Sequence, residues 1–215
     1  MGTIADMMAR EQDNIQIIQD GLDAIPYSWR PGIRAFLESD IFSSDATLEA
    51  KVQHIIGILN VRDTKDRQPG AFRLLSCQSL PKAKKMIEVF IEKNKIRREQ
   101  IERAADEVRM RVFHKKADPV VFEGSEEFDY ELLGAVASIT SQQTNKPSFI
   151  YKKSKKELLG SVRAPSGYDT VNAMQACHAF LDVYGGHPQA SGFRTTPDKE
   201  KDLGICLTEY FTKKK

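Results

Sequence analysis

The sequence predicts an α/β protein: a helical N-terminal segment, one long bridging helix, and a small α/β domain with a mixed sheet flanked by helices. Three observations carry this. Between Asn14 and Leu59, apolar residues recur at helical spacing in short stretches separated by proline-containing or polar turns. From Ser79 to about His114, no glycine occurs and Pro81 sits in the first turn; Met86, Val89, Phe90, Ile96, Ile101, Ala104, Ala105, Val108 and Val112 fall largely in steps of three and four. After Asp118-Pro119, short apolar runs alternate with helical stretches.

In chain order, Gly2-Thr3-Ile4-Ala5-Asp6-Met7-Met8 opens with a small-residue turn and an aspartate already inside an apolar stretch, without the polar, frayed lead-in of most termini. The expectation is that an upstream portion of a larger protein is missing. Asn14 to Ile25 is a helix with Gly21 as its weak point, and Pro26 and Pro31 bracket an irregular turn carrying the single tryptophan, Trp29. Ile33 to Leu37 makes a short helix, and Thr47 to Leu59 another with Thr47 as N-cap. Asn60 to Gly70 is a loop by its polarity and its Pro69-Gly70 ending, and Ala71 to Cys77 is helical. Ser79 then caps the long helix. At about 1.5 Å per residue, that helix is too long for one small domain to cover. It marks the boundary between residues 1–78 and 117–215, with 79–116 as the bridge.

In the last part, Val120 to Phe122 is a strand ended by Gly124, and Tyr130 to Thr144 a helix with small residues (Gly134, Ala135, Ala137, Ser138) on its sheet-facing side. Ser148 to Tyr151 and Glu157 to Arg163 are strands joined by a hairpin turn containing Lys152, Lys153, Lys155 and Lys156. Asp169 caps a helix running through Val183, a Gly-Gly-His turn leads to a strand at Ala190 to Arg194, and Pro197 and Asp198 open a last helix to Phe211. Lys213-Lys214-Lys215 reads as a frayed tail.

The 215 residues carry a net charge of only +2, unevenly distributed: residues 82–116 hold 12 basic and 6 acidic side chains. That excess suits a polyanion, and equally a solvated helix face with i,i+4 pairs. Cys77, Cys177 and Cys206 are odd in number and lack metal-type spacing, so free thiols in a reducing, cytoplasmic setting are expected. No apolar run approaches the roughly 18 residues of a membrane-spanning helix, and no secretory signal pattern opens the chain.

The chemistry concentrates in two stretches. Ser161 and Arg163, two apart on one strand, share a face. Gly185 and Gly186 free the backbone to form an anion nest, followed by His187, which donates a hydrogen bond or carries charge near neutral pH. Strand, helix and turn could bring guanidinium, hydroxyl, amides and imidazole together as a phosphate clamp. The competing reading pairs Arg163 with an acid such as Asp169 and makes the glycines a plain tight turn. His54, His114 and His178 stand isolated and read as surface or packed residues, and the methionines as core filler.

Gly160-Ser161-Val162-Arg163, Gly167-Tyr168-Asp169, Ala173, Ala176-Cys177 and Tyr184-Gly185-Gly186-His187-Pro188-Gln189-Ala190-Ser191-Gly192-Phe193 resemble the C-terminal substrate-binding domain of RecJ-type single-strand exonucleases, members of the DHH phosphoesterase superfamily. Leu133 to Ser138 and Lys146 to Ile150 resemble the helix and strand upstream of it. Gly2 to Asp6 resembles the last metal-ligand motif of the catalytic DHH domain, and Asn14 to Leu22 the helix after it. The resemblance implies a two-domain hydrolase whose DHH domain holds two divalent ions, manganese or magnesium, and cuts single-stranded DNA from its 5′ end. It implies that Ser161, Arg163, Gly185, Gly186, His187 and Asn60 bind the substrate phosphate, that Asp6 is a metal ligand, and that lysines and arginines of the bridging helix line the strand's path. Single-stranded nucleic acid, DNA rather than RNA, is the implied partner, together with replication or repair proteins and without a membrane.

The sequence also departs from the family. It contains no Asp-His-His and no Asp-x-Asp, so this stretch alone is expected to hold no metal pair and to be inactive. Leu59-Asn60-Val61-Arg62-Asp63 keeps only the asparagine of the family's Asn-Ala-Ala/Gly-Gly-Arg, and Phe128-Asp129 replaces a Trp-His. A DHH-family phosphodiesterase for oligonucleotides or cyclic dinucleotides, and a non-catalytic RecJ-like scaffold, stand as the alternatives.

Overall fold

A computed structural model of the chain describes residues 1–6, 8, 11–43, 45–115 and 117–213. Positions named above that lie outside the described residues are Met7 in the opening stretch, Lys116 at the end of the basic element, and Lys214 and Lys215 in the tail. The architecture is the mixed α/β one predicted, and the chain divides into two units, Met1–Ile96 and Arg97–Lys215. Among the described residues, no helix is long and apolar enough to cross a membrane.

The first unit is helical apart from one small hairpin. α1 (Gly2–Ala5), α2 (Gln12–Ala24), α3 (Pro31–Leu37), α4 (Asp40–Ser43) and α5 (Leu48–Leu59) follow in order. Thr47 caps α5 by accepting from the Ala50 amide at 3.3 Å, satisfying one of the helix's unpaired first-turn donors. Inside the stretch read as a loop, β1 (Thr64–Lys65) and β2 (Gln68–Pro69) pair across Asp66 and Arg67. Both turn residues have positive φ (53° and 61°), the backbone that a two-residue hairpin needs. α6 (Gly70–Leu75) and the start of α7 (Leu80–Phe113) complete the unit, around Phe36, Ile55, Ile58, Leu74, Ile87 and Phe90. Asp63 binds Lys93 at 2.6 Å and also pairs with Arg73, tying the loop to α6 and α7. The Lys93 hydrogen bond holds the Asp63 carboxyl below its ordinary pKa, against the opposing effect of partial burial.

In the second unit, β3 (Val121–Ser125), β4 (Ser148–Lys153), β5 (Leu158–Arg163), β6 (Val183–His187) and β7 (Ala190–Thr195) form one sheet in the order β3-β4-β5-β7-β6. β3 and β4 are parallel, and α8 (Leu133–Thr144) supplies the crossover such a pair requires; every other pairing is antiparallel. Side-chain alternation divides the two faces. One face packs Phe149, Tyr151, Leu158, Val162 and Phe193 with residues of α9 (Thr170–Ala176) and α10 (Glu200–Lys213), among them Met174, Leu203, Leu207 and Phe211. On the other, Val121 and Ile150 pack with Leu133 and Val136 of α8 and Val108 and Val112 of α7. Gly160 lies under the Phe193 ring, where an added β-carbon would overlap the aromatic carbons.

Four expectations change here. The helix expected to run through Val183 ends at Ala176: Cys177 leaves helical geometry at φ −101°, ψ 21°, and buried Leu181 packs into the core. Gly185-Gly186-His187 is not a turn but part of β6, and the turn is Pro188-Gln189. Gly124 lies inside β3 rather than ending it. Cys177 and Cys206 form a disulfide joining the end of α9 to α10, so the free-thiol expectation holds only for Cys77. The pair is 29 residues apart and meets only because α9 and α10 pack on the same sheet face.

Gly160→Ala should lower the unfolding free energy by about 1–3 kcal/mol in urea titrations, because an added methyl overpacks against Phe193. Thiol titration of the unreduced, denatured chain should count Cys77 alone, and all 3 cysteines after reduction; a count of 3 before reduction excludes the Cys177–Cys206 bond. A carboxyl with depressed pKa stabilises the fold above its unfolded-state pKa and stops doing so as pH falls through its folded-state value. Asp63→Asn should therefore destabilise by about 1 kcal/mol at neutral pH, with the difference from the native chain disappearing below the carboxylate range in unfolding curves at stepped pH.

Candidate nucleic-acid interface

The register of β5 builds the site. Leu158, Gly160 and Val162 enter the core, while Leu159, Ser161 and Arg163 face the opposite way. Across the sheet, Ser161 stands opposite Gly192, which stands opposite Gly185; Arg163 stands opposite Ala190, which stands opposite His187. Directly paired residues share a face, so Ser161, Arg163 and His187 line one surface with only small residues between them. An added β-carbon at Gly185 would meet nothing within 4 Å, so the floor there is open.

α8 bounds this surface on the β5 side. A β-carbon on Gly134 would stand 3.1 Å from Nη2 of Arg163 and 4.0 Å from Oγ of Ser161. The absence of a side chain at Gly134 is what gives the guanidinium its room. Arg163 is half-buried and donates from Nη1 to its own neighbour's carbonyl, Val162 O, at 2.8 Å. Burial lowers its pKa, though a guanidinium stays charged at any physiological pH. Among the described residues no carboxylate pairs with it. Asp169, the acid that spacing offered, instead caps α9, accepting from the Asn172 amide at 2.9 Å and its side chain at 2.7 Å. A half-buried cation without a carboxylate favours an incoming anion.

The turn that returns β6 to β7 is pinned on both sides. The Thr170 hydroxyl donates to the Pro188 carbonyl at 2.9 Å and is 2.6 Å from the Ser191 hydroxyl, while the Ala164 amide donates to the Gln189 carbonyl at 3.1 Å. These bonds hold the His187 end of β6 level with the Arg163 end of β5. Gly186 has φ 134°, and a β-carbon there would come 2.6 Å from the Ala190 carbonyl oxygen, so only glycine fits. The expected concave nest of amides is absent, because in a strand successive N–H groups point to opposite sides. What the glycines provide instead is a bare, exposed strand.

The same surface continues along β5, where Leu159 stands opposite Arg194 and Arg194 opposite Val183. Here a cleft of about 420 Å³ is lined by Tyr130, Leu159, Val183, Gly185, Gly192 and Arg194 among others. Sequence reasoning passed over Tyr130 and Arg194. They lie outside the glycine-rich motif, and only strand register shows that Arg194 shares the face of Ser161 and Arg163.

Asn60 and Asp6 belong to the first unit. Asn60 is exposed at the C-terminal end of α5, its amide donating to the Ile56 carbonyl at 3.0 Å; Asp6 is exposed at the end of α1. Among the described residues, no group of three or more His, Cys, Asp or Glu is placed to hold a metal ion. Asp6 alone does not fit a hard divalent cation, which takes about six oxygen ligands.

A mixed five-stranded sheet with its parallel crossover, preceded by a helical unit, is an arrangement shared with part of solved RecJ structures. The chain superposes on RecJ in complex with Mg2+ from Thermus thermophilus with a TM-score of 0.83 at 22% identity, covering 99% of this chain and 33% of that one. It superposes on exonuclease RecJ bound to manganese with a TM-score of 0.78 at 22% identity, covering 98% of this chain and 53% of that one. By sequence it is 28% identical over 196 residues to the single-stranded-DNA-specific exonuclease RecJ of Thermus thermophilus, covering 90% of this chain and 28% of the relative. No family model matches the chain. Sequence and structure together support a RecJ-like C-terminal region as what this chain resembles. It spans under a third of the length of that curated relative.

Proposed function

We propose that the chain is the phosphate- and nucleic-acid-binding part of a RecJ-like 5′-to-3′ single-stranded-DNA exonuclease. Arg163 carries this reading: a half-buried guanidinium without a carboxylate partner among the described residues, beside a hydroxyl on an open face. Arg163 binds two phosphate oxygens through its fork, Ser161 donates its hydroxyl, and His187 approaches from the far side of the small-residue floor. Gly185 and Gly186 let the ligand backbone come close. Asn60 adds a substrate contact, and the basic side chains of α7 neutralise further phosphates along the strand.

In the intact protein, Asp6 would supply one oxygen to a divalent manganese or magnesium whose other ligands the described residues do not provide, and the bound metal would contribute Lewis-acid chemistry at a phosphoryl group. This chain by itself binds single strands weakly and does not cleave them. The reading keeps the cytoplasmic setting expected from the cysteine pattern, and there the Cys177–Cys206 bond would face a reducing pool.

Binding of single-stranded DNA with and without a 5′-phosphate, to the native chain and to Arg163→Ala, tests the clamp. The phosphate should strengthen binding to the native chain, and the substitution should remove that gain, at a loss of about 1.5–3 kcal/mol. Binding indifferent to both overturns the clamp and turns the reading toward a non-catalytic scaffold. A marked preference for dinucleotides over longer strands turns it toward an oligonucleotide or cyclic-dinucleotide phosphodiesterase.

A further inference from the structure

The cleft beside the clamp has its own chemistry. Tyr130 is 52% exposed and Val183 51%, so an aromatic ring and an apolar wall face solvent across a floor of Gly185 and Gly192. The backbone on both sides of Tyr130 is bonded. The Lys152 ammonium donates to the Phe128 carbonyl at 2.8 Å, and the Asp129 carboxylate accepts from the Glu131 amide at 3.1 Å, fixing both flanks of the tyrosine. Arg194 is exposed on the same face and, among the described residues, pairs with no carboxylate. The nearby Asp182, whose amide bonds the Arg194 carbonyl, has its carboxylate occupied by Lys199 at 2.9 Å.

We infer that this cleft is a second subsite, which takes one nucleotide of a single-stranded oligonucleotide, its base stacked on Tyr130 and its phosphate on Arg194. The inference rests on the phosphate clamp at Ser161 and Arg163 and extends it. Along β5 the Arg194 row lies four residues from the Arg163 row, about 13 Å at about 3.3 Å per residue. A ligand that places one phosphate on each row is therefore longer than a mononucleotide. Stacking on a tyrosine face tolerates any base, and Arg194 reads charge alone, so the subsite measures length and single-strandedness without reading sequence.

The test is equilibrium binding of the full 215-residue chain to two probes, a 5′-phosphorylated thymidine mononucleotide and a 5′-phosphorylated thymidine pentamer. Arg194→Ala and Tyr130→Ala should each weaken the pentamer about tenfold and leave the mononucleotide unchanged, while Tyr130→Phe keeps native affinity. Arg194→Ala should also reduce the slope of log affinity against log salt by about 0.7, the loss of one phosphate contact on a single strand. Arg163→Ala should weaken both probes. If Arg163→Ala weakens both probes while Arg194→Ala and Tyr130→Ala bind the pentamer like the native chain, the second subsite is wrong and the clamp stands. If Arg163→Ala changes neither probe, the clamp is wrong, and pentamer losses in the cleft variants would then leave the cleft as the binding site. A native chain that binds no pentamer overturns both.

Discussion

The second unit depends on the alternation of β5. Six consecutive residues send Leu158, Gly160 and Val162 into a packed core and leave Leu159, Ser161 and Arg163 on the other face. A slip of one position would bury the guanidinium beneath α9 and α10 and expose the core residues, so register and site are specified together. The partner strands reinforce it: Phe193 fits only over a glycine at 160, and Gly134 leaves the space into which Arg163 extends. Interior packing thus fixes the geometry of a surface group.

Coverage of that second face is uneven. α7 and α8 close it where Val121 and Ile150 supply apolar surface, and on the rows that carry Ser161 and Arg163 the side of β7 and β6 offers Ala190, Gly192 and Gly185, with His187 at the margin. A helix has little to bury against glycines, and none packs there among the described residues. The open surface is therefore a product of composition: small residues withhold the apolar area that a covering element would need.

Much of this was legible in the sequence. Thr47 and Asp169 act as the N-caps their residue types imply, and the spacing from Met86 to Val112 belongs to one continuous helix. The strands at Ser148, Leu158 and Ala190 follow from β-type runs bounded by polar turns. Ser161 and Arg163 share a face, as two-residue spacing requires. What was hidden depends on contacts distant in sequence. Gly185-Gly186 has turn chemistry by local rules, yet pairing with Ser191 and Gly192 holds it extended. The hairpin at Asp66-Arg67 lacks the glycine that signals positive φ. The disulfide, the Asp63 ion pairs, and the placement of Tyr130 beside Arg194 all join residues whose proximity only the fold creates.

β6 closes the sheet at one margin, and a margin of unpaired backbone groups invites a second polypeptide to add itself as a further strand. The glycine pair lowers that hazard. Without side chains at 185 and 186, an arriving strand finds nothing to pack against, and Pro188 immediately ends the run of available donors. The bareness that leaves this face open also makes the margin a poor template for aggregation.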